Sequence, residues 1–356
     1  MKFIRILLGL LLFIFAVRHS FSQDEKIRTE WLFIYYMPYD NDLSQYGEQI
    51  IQMIGKNMTL DSVTVIVQAD FSDNNGMKRY IISRNQTVIT AIENEYSASI
   101  QTYREYLEWV KERIDYEKLA VIFLDHGGKL DEICLDEQPV HQFLLIDEIS
   151  QLFNTVFGKN AIDLLFLQVC TKGILEALYE LKDAAKYTLC SQIPLGAPND
   201  YYHGLFTAFS TQTVTSGREV AELIINHEAD YMYNSYTLVD NAGLDMLFPL
   251  FSELISQLQA VNTGSLAVPV NMSYYDERYW DIISCLENLP EVENRTKLIE
   301  YIRNKLIIVH RISPIRYGMM RRYSGLSISG VMEDKYNKLA LYRLLKPVRE
   351  LFMEKK

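Results

Sequence analysis

From about residue 29 the chain alternates near-continuous apolar runs with amphipathic ones. Trp31 to Met37 reads as a buried strand. Leu43 to Ile54 then has helical periodicity, with Asn41 or Asp42 as its expected cap. Val63 to Gln68 is a second strand. Arg79 to Ser83 and Val88 to Ile92 form an expected antiparallel pair turning at Arg84-Asn85. A helix over Ile100 to Ile114 leads to a third main strand, Leu119 to Leu124, which is stopped by Asp125-His126-Gly127-Gly128. After a polar stretch, Ile146 to Phe157 is helical. Ile162 to Val169 is a fourth strand running into Cys170, Gly173 to Lys182 a helix, and Tyr187 to Ser191 a short fifth strand. Apolar strands separated by helices predict a mostly parallel sheet covered on both faces.

The second half reads as mainly helical, over roughly Gly217 to Tyr233, Leu244 to Gln259, Arg278 to Leu289 and Arg295 to Val309. A late segment, Gly325 to Ser329, is expected to return a strand to the sheet. Ala260 to Val270 reads as a surface connection. No internal repeat or low-complexity linker divides the chain.

The N-terminus follows a different pattern. Lys2 and Arg5 precede an apolar run from Ile6 to Val17, then Ser20-Phe21-Ser22. These twelve residues are too few for a membrane-spanning helix and fit the core of a secretory signal. The expected signal is residues 1–22, cleaved between Ser22 and Gln23, with export to the periplasm or outside. No later segment is long and apolar enough to span a membrane, so no membrane partner is expected after processing.

Composition narrows the function classes. With 49% hydrophobic residues, the 356-residue chain can bury a large core. The formal net charge of -11 argues against a nucleic-acid partner, which needs a basic face. The four cysteines, Cys134, Cys170, Cys190 and Cys285, are too scattered for a disulfide framework and include no C-x-x-C pair, so no metal site is expected.

Two strands end in reactive side chains. In an open parallel sheet ligands bind at the carboxyl ends of the strands. If the third and fourth strands are neighbours, His126 and Cys170 emerge at one edge, as a thiol–imidazole pair requires. Gly127 and Gly128 let backbone approach a substrate closely, and an N–H there suits an oxyanion. A helix directly after Cys170 would favour the thiolate. Singly, a histidine ending a strand is most often structural and a cysteine ending one most often core; their combination carries the reading.

These residues and their surroundings resemble the clostripain-like cysteine peptidases, which share a fold with caspases, legumains and gingipains. The resemblance rests on Trp31 to Leu43 (WLFIYYMPYDNDL), Val63 to Asp70 (VTVIVQAD), Val121 to Gly128 (VIFLDHGG), Ile162 to Leu181 (IDLLFLQVCTKGILEALYEL) and Ser324 to Ser329 (SGLSIS). They occur in the family's order over about residues 30 to 330. The resemblance implies a caspase-like three-layer α/β sandwich with a mostly parallel sheet and a helical C-terminal extension. The peptidase domain would be residues 23–356, with a catalytic core over about 29–215 and a helical part over about 216–356. It implies a cysteine endopeptidase acting through a Cys170–His126 dyad and a thioester, with Gly127 and Cys170 N–H groups as the oxyanion hole. No cofactor is required on this reading, and calcium enters only through the resemblance. A peptide or protein substrate and a monomer are expected.

Departures from the family qualify its substrate. Members that cleave after Arg or Lys carry Asp two residues before the nucleophile; Gln168 stands there and can only hydrogen-bond a cation. Basic first-position specificity is therefore not expected. The segment between His126 and Cys170 holds only Lys129 and Lys159 as basic residues, with Asp131, Glu132, Asp136 and Glu137 between them, which disfavours self-cleavage after a basic residue. Asp200 is a candidate for the same pocket, or a cap for the following helix. His141 and His203 read as surface residues, and Asp40, Asn41 and Asp42 as a turn and helix cap rather than a cation site. Asp125 is not expected to orient its neighbour, because adjacent strand residues face opposite ways. Glu176 has no assigned role, and Cys190 reads as a buried thiol. The competing reading is a catalytically inactive relative that binds peptides on the same scaffold. An amidase or transpeptidase would share the acyl-enzyme chemistry.

Overall fold

The computed structural model describes residues 26–72, 76–93, 96–262 and 264–353. The expected signal segment lies outside the described residues. The strands, in chain order, are β1 (Ile27–Tyr39), β2 (Val63–Phe71), β3 (Met77–Ser83), β4 (Gln86–Ile92), β5 (Ile114–Asp125), β6 (Glu132–Asp136), β7 (Gln142–Leu145), β8 (Ile162–Val169), β9 (Ala185–Cys190), β10 (Ser235–Asp240), β11 (Asn271–Tyr274), β12 (Glu277–Asp281), β13 (Ile307–Ile312) and β14 (Ser327–Ser329).

Nine of them form one sheet in the order β13-β10-β9-β8-β5-β1-β2-β3-β4. The five central strands, β9-β8-β5-β1-β2, are parallel. The edges are antiparallel: the expected hairpin β3–β4 on one side, β10 and β13 on the other. Period-two alternation explains the layers. Along β1, Leu32, Ile34 and Tyr36 face the helices Ile100–Arg113 and Ile146–Val156. Trp31, Phe33 and Tyr35 face the helices Ser44–Asn57, Tyr202–Thr211 and Gly217–His227. With both faces covered, the strands have no need of a polar face, which is why they read as continuous apolar runs. The last of these helices starts where it does because Ser216 and Glu219 form a reciprocal capping box.

Three expectations in the second half are corrected. The segment expected as a helix from Arg278 is strand β12 up to Asp281, and only Ile282–Asn288 is helical. The helix expected over Arg295 to Val309 ends at Tyr301, passes through one π turn and becomes β13. Apolar residues in such short runs fit either period; pairing with a neighbouring strand decides. The late segment does form β14, but it joins β11 and β12 in a separate three-stranded sheet rather than the main one. That small sheet is tied to the segment after β8, because Ser327 N–H donates to Gly173 O at 2.7 Å. The C-terminal region is helical in good part, as expected, but it also supplies β10, a strand of the main sheet that the sequence reading did not include.

Candidate active site

The carboxyl ends of β1, β5 and β8 lie side by side, because these strands are parallel neighbours. β1 is continued by Asp40-Asn41-Asp42, β5 by His126-Gly127-Gly128 and β8 by Cys170. His126 and Cys170 line one cavity of about 90 Å³ with Tyr39, Leu43, Asp125, Gln168, Leu195, Gly196, Ala197 and Asn199. The crevice lies at the carboxyl edge where the sheet's strand order switches, the general location of ligand sites in such sheets.

The loops after β5 and β8 touch backbone to backbone. A Cβ on residue 127 would fall 1.9 Å from the Cys170 carbonyl oxygen, so only glycine fits. Gly128 has a φ of 56°, a left-handed conformation that glycine adopts at little cost. The residue after Cys170 is strained: Thr171, β-branched and fully buried, has a φ of 57°. Such strain costs about 1–3 kcal/mol and persists where surroundings over-determine it.

Lys172 supplies part of that determination. It is fully buried, and its ammonium donates to Gly128 O at 3.1 Å and Lys129 O at 2.5 Å. It thus ties the loop after Cys170 to the loop after His126. Burial pushes its pKa down to about 7, against the pull of Glu277, Glu132 and Asp131.

His126 Nε2 lies 2.7 Å from Asp42 Oδ1. A carboxylate accepting the Nε2 proton leaves Nδ1 as the free base of a neutral ring. Asp125, two atoms of main chain away, is not the partner: its Oδ1 accepts from Asn41 Nδ2 at 2.9 Å. Asn41 Oδ1 in turn accepts from Leu43 N–H at 2.9 Å, the turn role expected of it. Among the described residues no group of three or more His, Cys, Asp or Glu is arranged to hold a metal ion.

The surroundings of the thiol differ from expectation. The helix after Cys170 begins only at Leu175 and is six residues long, so its dipole does not abut the sulfur. Burial pushes the Cys170 thiol up, opposed by the N–H of Leu195, which donates to Sγ at 3.3 Å, and by the hydroxyl of Tyr274. Tyr274 comes from β11.

The cavity floor is neutral. Gln168 Nε2 donates to Asn199 Oδ1, and Tyr201 donates to Gln168 Oε1 at 2.9 Å. Asn199 Nδ2 donates to Glu228 Oε2 at 2.6 Å. Burial pushes the Glu228 carboxyl up to about 7, and Asn199 separates it from the cavity. Asp200 is outside the cavity lining: its Oδ1 accepts from Ala229 N–H at 3.1 Å and its Oδ2 from Tyr231 O–H at 3.2 Å. It caps nothing on the following helix either, where Tyr201 stands at the N-cap without a side-chain bond.

The remaining candidates are structural. Glu176 forms a buried ion pair with Arg349 at 3.2 Å and accepts from Ser329 N–H at 3.0 Å. Cys190 is buried, with its Sγ 3.6 Å from Thr237 O. His203 is exposed and 2.8 Å from Asn57 Oδ1, and His141 is an exposed neighbour of Phe143. Asp42, Lys172 and Tyr274 are the site residues that sequence reasoning missed. From the sequence Asp42 reads as part of a turn and helix cap. Lys172 carried a signal, a lysine inside an otherwise apolar strand-to-helix junction. Tyr274 carried none, because a distant hairpin delivers it.

The description of the Clostripain family, as a C11 peptidase family, matches residues 35–306, most of the chain. The chain belongs to the clostripain family. As a clostripain-family protein it is a cysteine-type peptidase, a hydrolase acting on peptide substrates. Solved structures of similar fold include a secreted C11 cysteine protease from Bacteroides thetaiotaomicron in complex with an irreversible peptide inhibitor, at 13% identity and a TM-score of 0.67, covering 91% of this chain and 98% of that one. An inactive zymogen C11 protease from Parabacteroides distasonis is 19% identical with a TM-score of 0.65, at 91% and 98% coverage. A second structure of a secreted C11 cysteine protease from B. thetaiotaomicron reaches a TM-score of 0.69 at 15% identity, covering 89% and 99%. At these identities the likeness is one of fold, and it places the family's three-layer sandwich in this chain. No curated protein matches the sequence. No helix among the described residues is long and apolar enough to cross a membrane.

Proposed function

We propose that this clostripain-family peptidase is an exported endopeptidase that uses Cys170 as nucleophile and His126 as base, and that it cleaves after an uncharged residue. The observation that carries the reading is the convergence of His126, Cys170 and the Gln168–Asn199 pair on one cavity. In the reaction, Cys170 loses its proton to His126 and its Sγ attacks the scissile carbonyl carbon. The oxyanion is received by the N–H groups of Gly127 and Cys170. His126 returns the proton to the amine as the C–N bond breaks, leaving a thioester. Water, deprotonated by the same imidazole, then hydrolyses the thioester and restores the thiol.

The first-position preference follows from the floor. An arginine or lysine side chain would lose its hydration against an amide pair whose polar atoms are already engaged with each other, Tyr201 and Glu228. A small uncharged side chain suffers no such loss. Export is supported by the apolar N-terminal segment and by relatives described as secreted.

The test is a peptide panel with basic, acidic and neutral first-position residues, assayed with and without added calcium, on the parent and Cys170→Ala. Cleavage after neutral residues, lost in Cys170→Ala, is expected. Undiminished cleavage by that variant would remove Cys170 from the mechanism, and preferred cleavage after Arg or Lys would overturn the specificity.

A further inference from the structure

The chain carries a net charge of -11, yet no Asp or Glu occurs between Glu300 and Glu333. That stretch holds Arg303, Lys305, Arg311, Arg316, Arg321 and Arg322. Arg303 pairs with Glu287 and Arg311 donates to Asn226 Oδ1, both at 2.9 Å. Arg316, Arg321 and Arg322 are exposed beyond the end of β13, and among the described residues no carboxylate pairs with any of them. Arg322 donates to the Tyr323 hydroxyl at 3.1 Å and lies over the same ring. Ile315, Tyr317 and Met319, in the same stretch, are 60, 56 and 59% exposed. Charges commonly guard the edge strand of a sheet, and β13 is one. These three arginines lie past its last residue, so edge protection does not account for them.

The segment is anchored at both ends. Ser313 N–H donates to Asn234 O at 3.0 Å, and buried Tyr323 donates its hydroxyl proton to Asn271 O at 3.2 Å. Two short helical turns, Pro314–Arg316 and Tyr317–Met320, fill the space between. A basic and apolar surface held in place without a partner is preorganised for one.

Its position points to the occupant. β13 runs the same way as β9, since both are antiparallel to β10. Its carboxyl end therefore lies on the sheet edge that carries His126 and Cys170. Backbone links the two places. Leu195 and Gly196 line the cavity beside Cys170; Gly196 N–H donates to Met232 O at 2.9 Å, and Asn234 Nδ2 donates to Pro194 O at 2.6 Å. Asn234 is the residue that holds Ser313. The acids along this path are engaged, Asp200 by Ala229 and Tyr231, and Asp230 by the Tyr233 hydroxyl at 3.3 Å. β8 and β13 are three strand spacings apart, about 14 Å, or roughly four residues of extended peptide.

The proposed chemistry fixes the direction. His126, after β5, returns a proton to the leaving amine, so the leaving half of the substrate lies toward β5 and β1. The acyl half lies on the other side of Cys170, toward β9, β10 and β13. We infer that the 314–322 surface is a docking site for acidic residues of the substrate, about four to six positions before the scissile bond. Ile315, Tyr317 and Met319 would cover apolar residues beside them. The inference rests on the roles proposed for Cys170 and His126.

The experiment uses peptides that share one neutral first-position residue and carry either three Asp or three Asn at the fourth to sixth positions before the bond. They are assayed on the parent and on a variant combining Arg316→Glu, Arg321→Glu and Arg322→Glu. An exposed ion pair changes affinity about fivefold at most. The parent is expected to favour the Asp peptide about five- to tenfold in kcat/KM, through KM, with the advantage shrinking as salt rises from about 0.02 to about 0.5 M. The triple variant is expected to lose or reverse the preference. The ratio within each chain is the readout, so a general loss of activity does not imitate the effect. Equal ratios in the two chains overturn the inference. Binding of the same peptides to Cys170→Ala, read by fluorescence anisotropy, separates docking from chemistry. Preferential binding of the Asp peptide that the arginine changes abolish, with no peptide cleaved by the parent, sinks the peptidase mechanism and leaves the docking surface standing. Cleavage without preference sinks the docking surface and leaves the peptidase standing. Sedimentation with phosphatidylglycerol vesicles, lost in the triple variant while the peptide ratios stay equal, makes the surface lipid-facing and overturns the inference.

Discussion

The Nε2 of His126 lies 2.7 Å from Oδ1 of Asp42, joining the end of β5 to the turn that follows β1. The contact selects one ring tautomer and one ring orientation for the proposed base. Asp42 is itself 79% exposed at its side chain, so water screens the pair and competes for the proton. Asp42→Asn is expected to lower kcat about three- to tenfold with little change in KM, far less than the ~10²–10⁴-fold loss expected for His126→Ala. Steady-state kinetics on both variants check the ratio, and equal losses would show that Asp42 does more than orient.

Lys172 joins the loops that follow His126 and Cys170, the groups proposed to react. Lys172→Met keeps most of the side-chain volume and deletes the donors to Gly128 O and Lys129 O. Small displacements of reacting groups are costly, on the order of 10²-fold per ångström. A fall in kcat of about tenfold is expected, with KM within about threefold and the plateau alkylation rate of Cys170 unchanged. If the alkylation rate and the thermal midpoint collapse together, Lys172 serves folding and not positioning.

Glu228 carries a pH signature. Its carboxyl is held at about 7 by burial, against an ordinary value of 4.5. Between those values the folded chain keeps a proton that the unfolded chain has released, so this group's contribution to stability is present below about pH 4.5 and is lost as pH rises toward 7. The loss is on the order of 1–3 kcal/mol. Urea unfolding of Glu228→Gln across this range should show a flatter dependence than the parent. The same slope in both chains would place the titration elsewhere.

Glu176 and Arg349 form a fully buried ion pair between the helix Leu175–Glu180 and the C-terminal helix Lys346–Phe352. Removing one partner strands the other charge in the core. Glu176→Ala is expected to destabilise the fold by about 3–5 kcal/mol, whereas replacing both residues with apolar ones of similar volume costs far less. Chemical denaturation of the single and double variants measures the coupling, and additive losses would contradict it.

The central strands and their helices were legible because burial on both faces leaves a continuous apolar signature in β1, β2, β5 and β8, and because glycines punctuate the loop after His126. β12 and β13 were misread as helix. Their short apolar runs satisfy both periods, and only the partners β14 and β10 supply the hydrogen bonds that make them strands. Asn199 displaced Asp200 for a related reason: which of two adjacent polar residues reaches a cavity depends on how its loop is pinned, here by Glu228.

Sequence alone determined the family, the parallel core and the two residues proposed for the chemistry, since strand burial, the His-Gly-Gly stop and the cysteine at a strand end are local patterns. The tertiary structure decided everything that acts on those residues from afar. Asp42 reaches His126 because β1 and β5 are neighbours. Lys172 is an anchor because two loops pack backbone to backbone. Chain separation hides such contacts from any local pattern, and only packing brings them together.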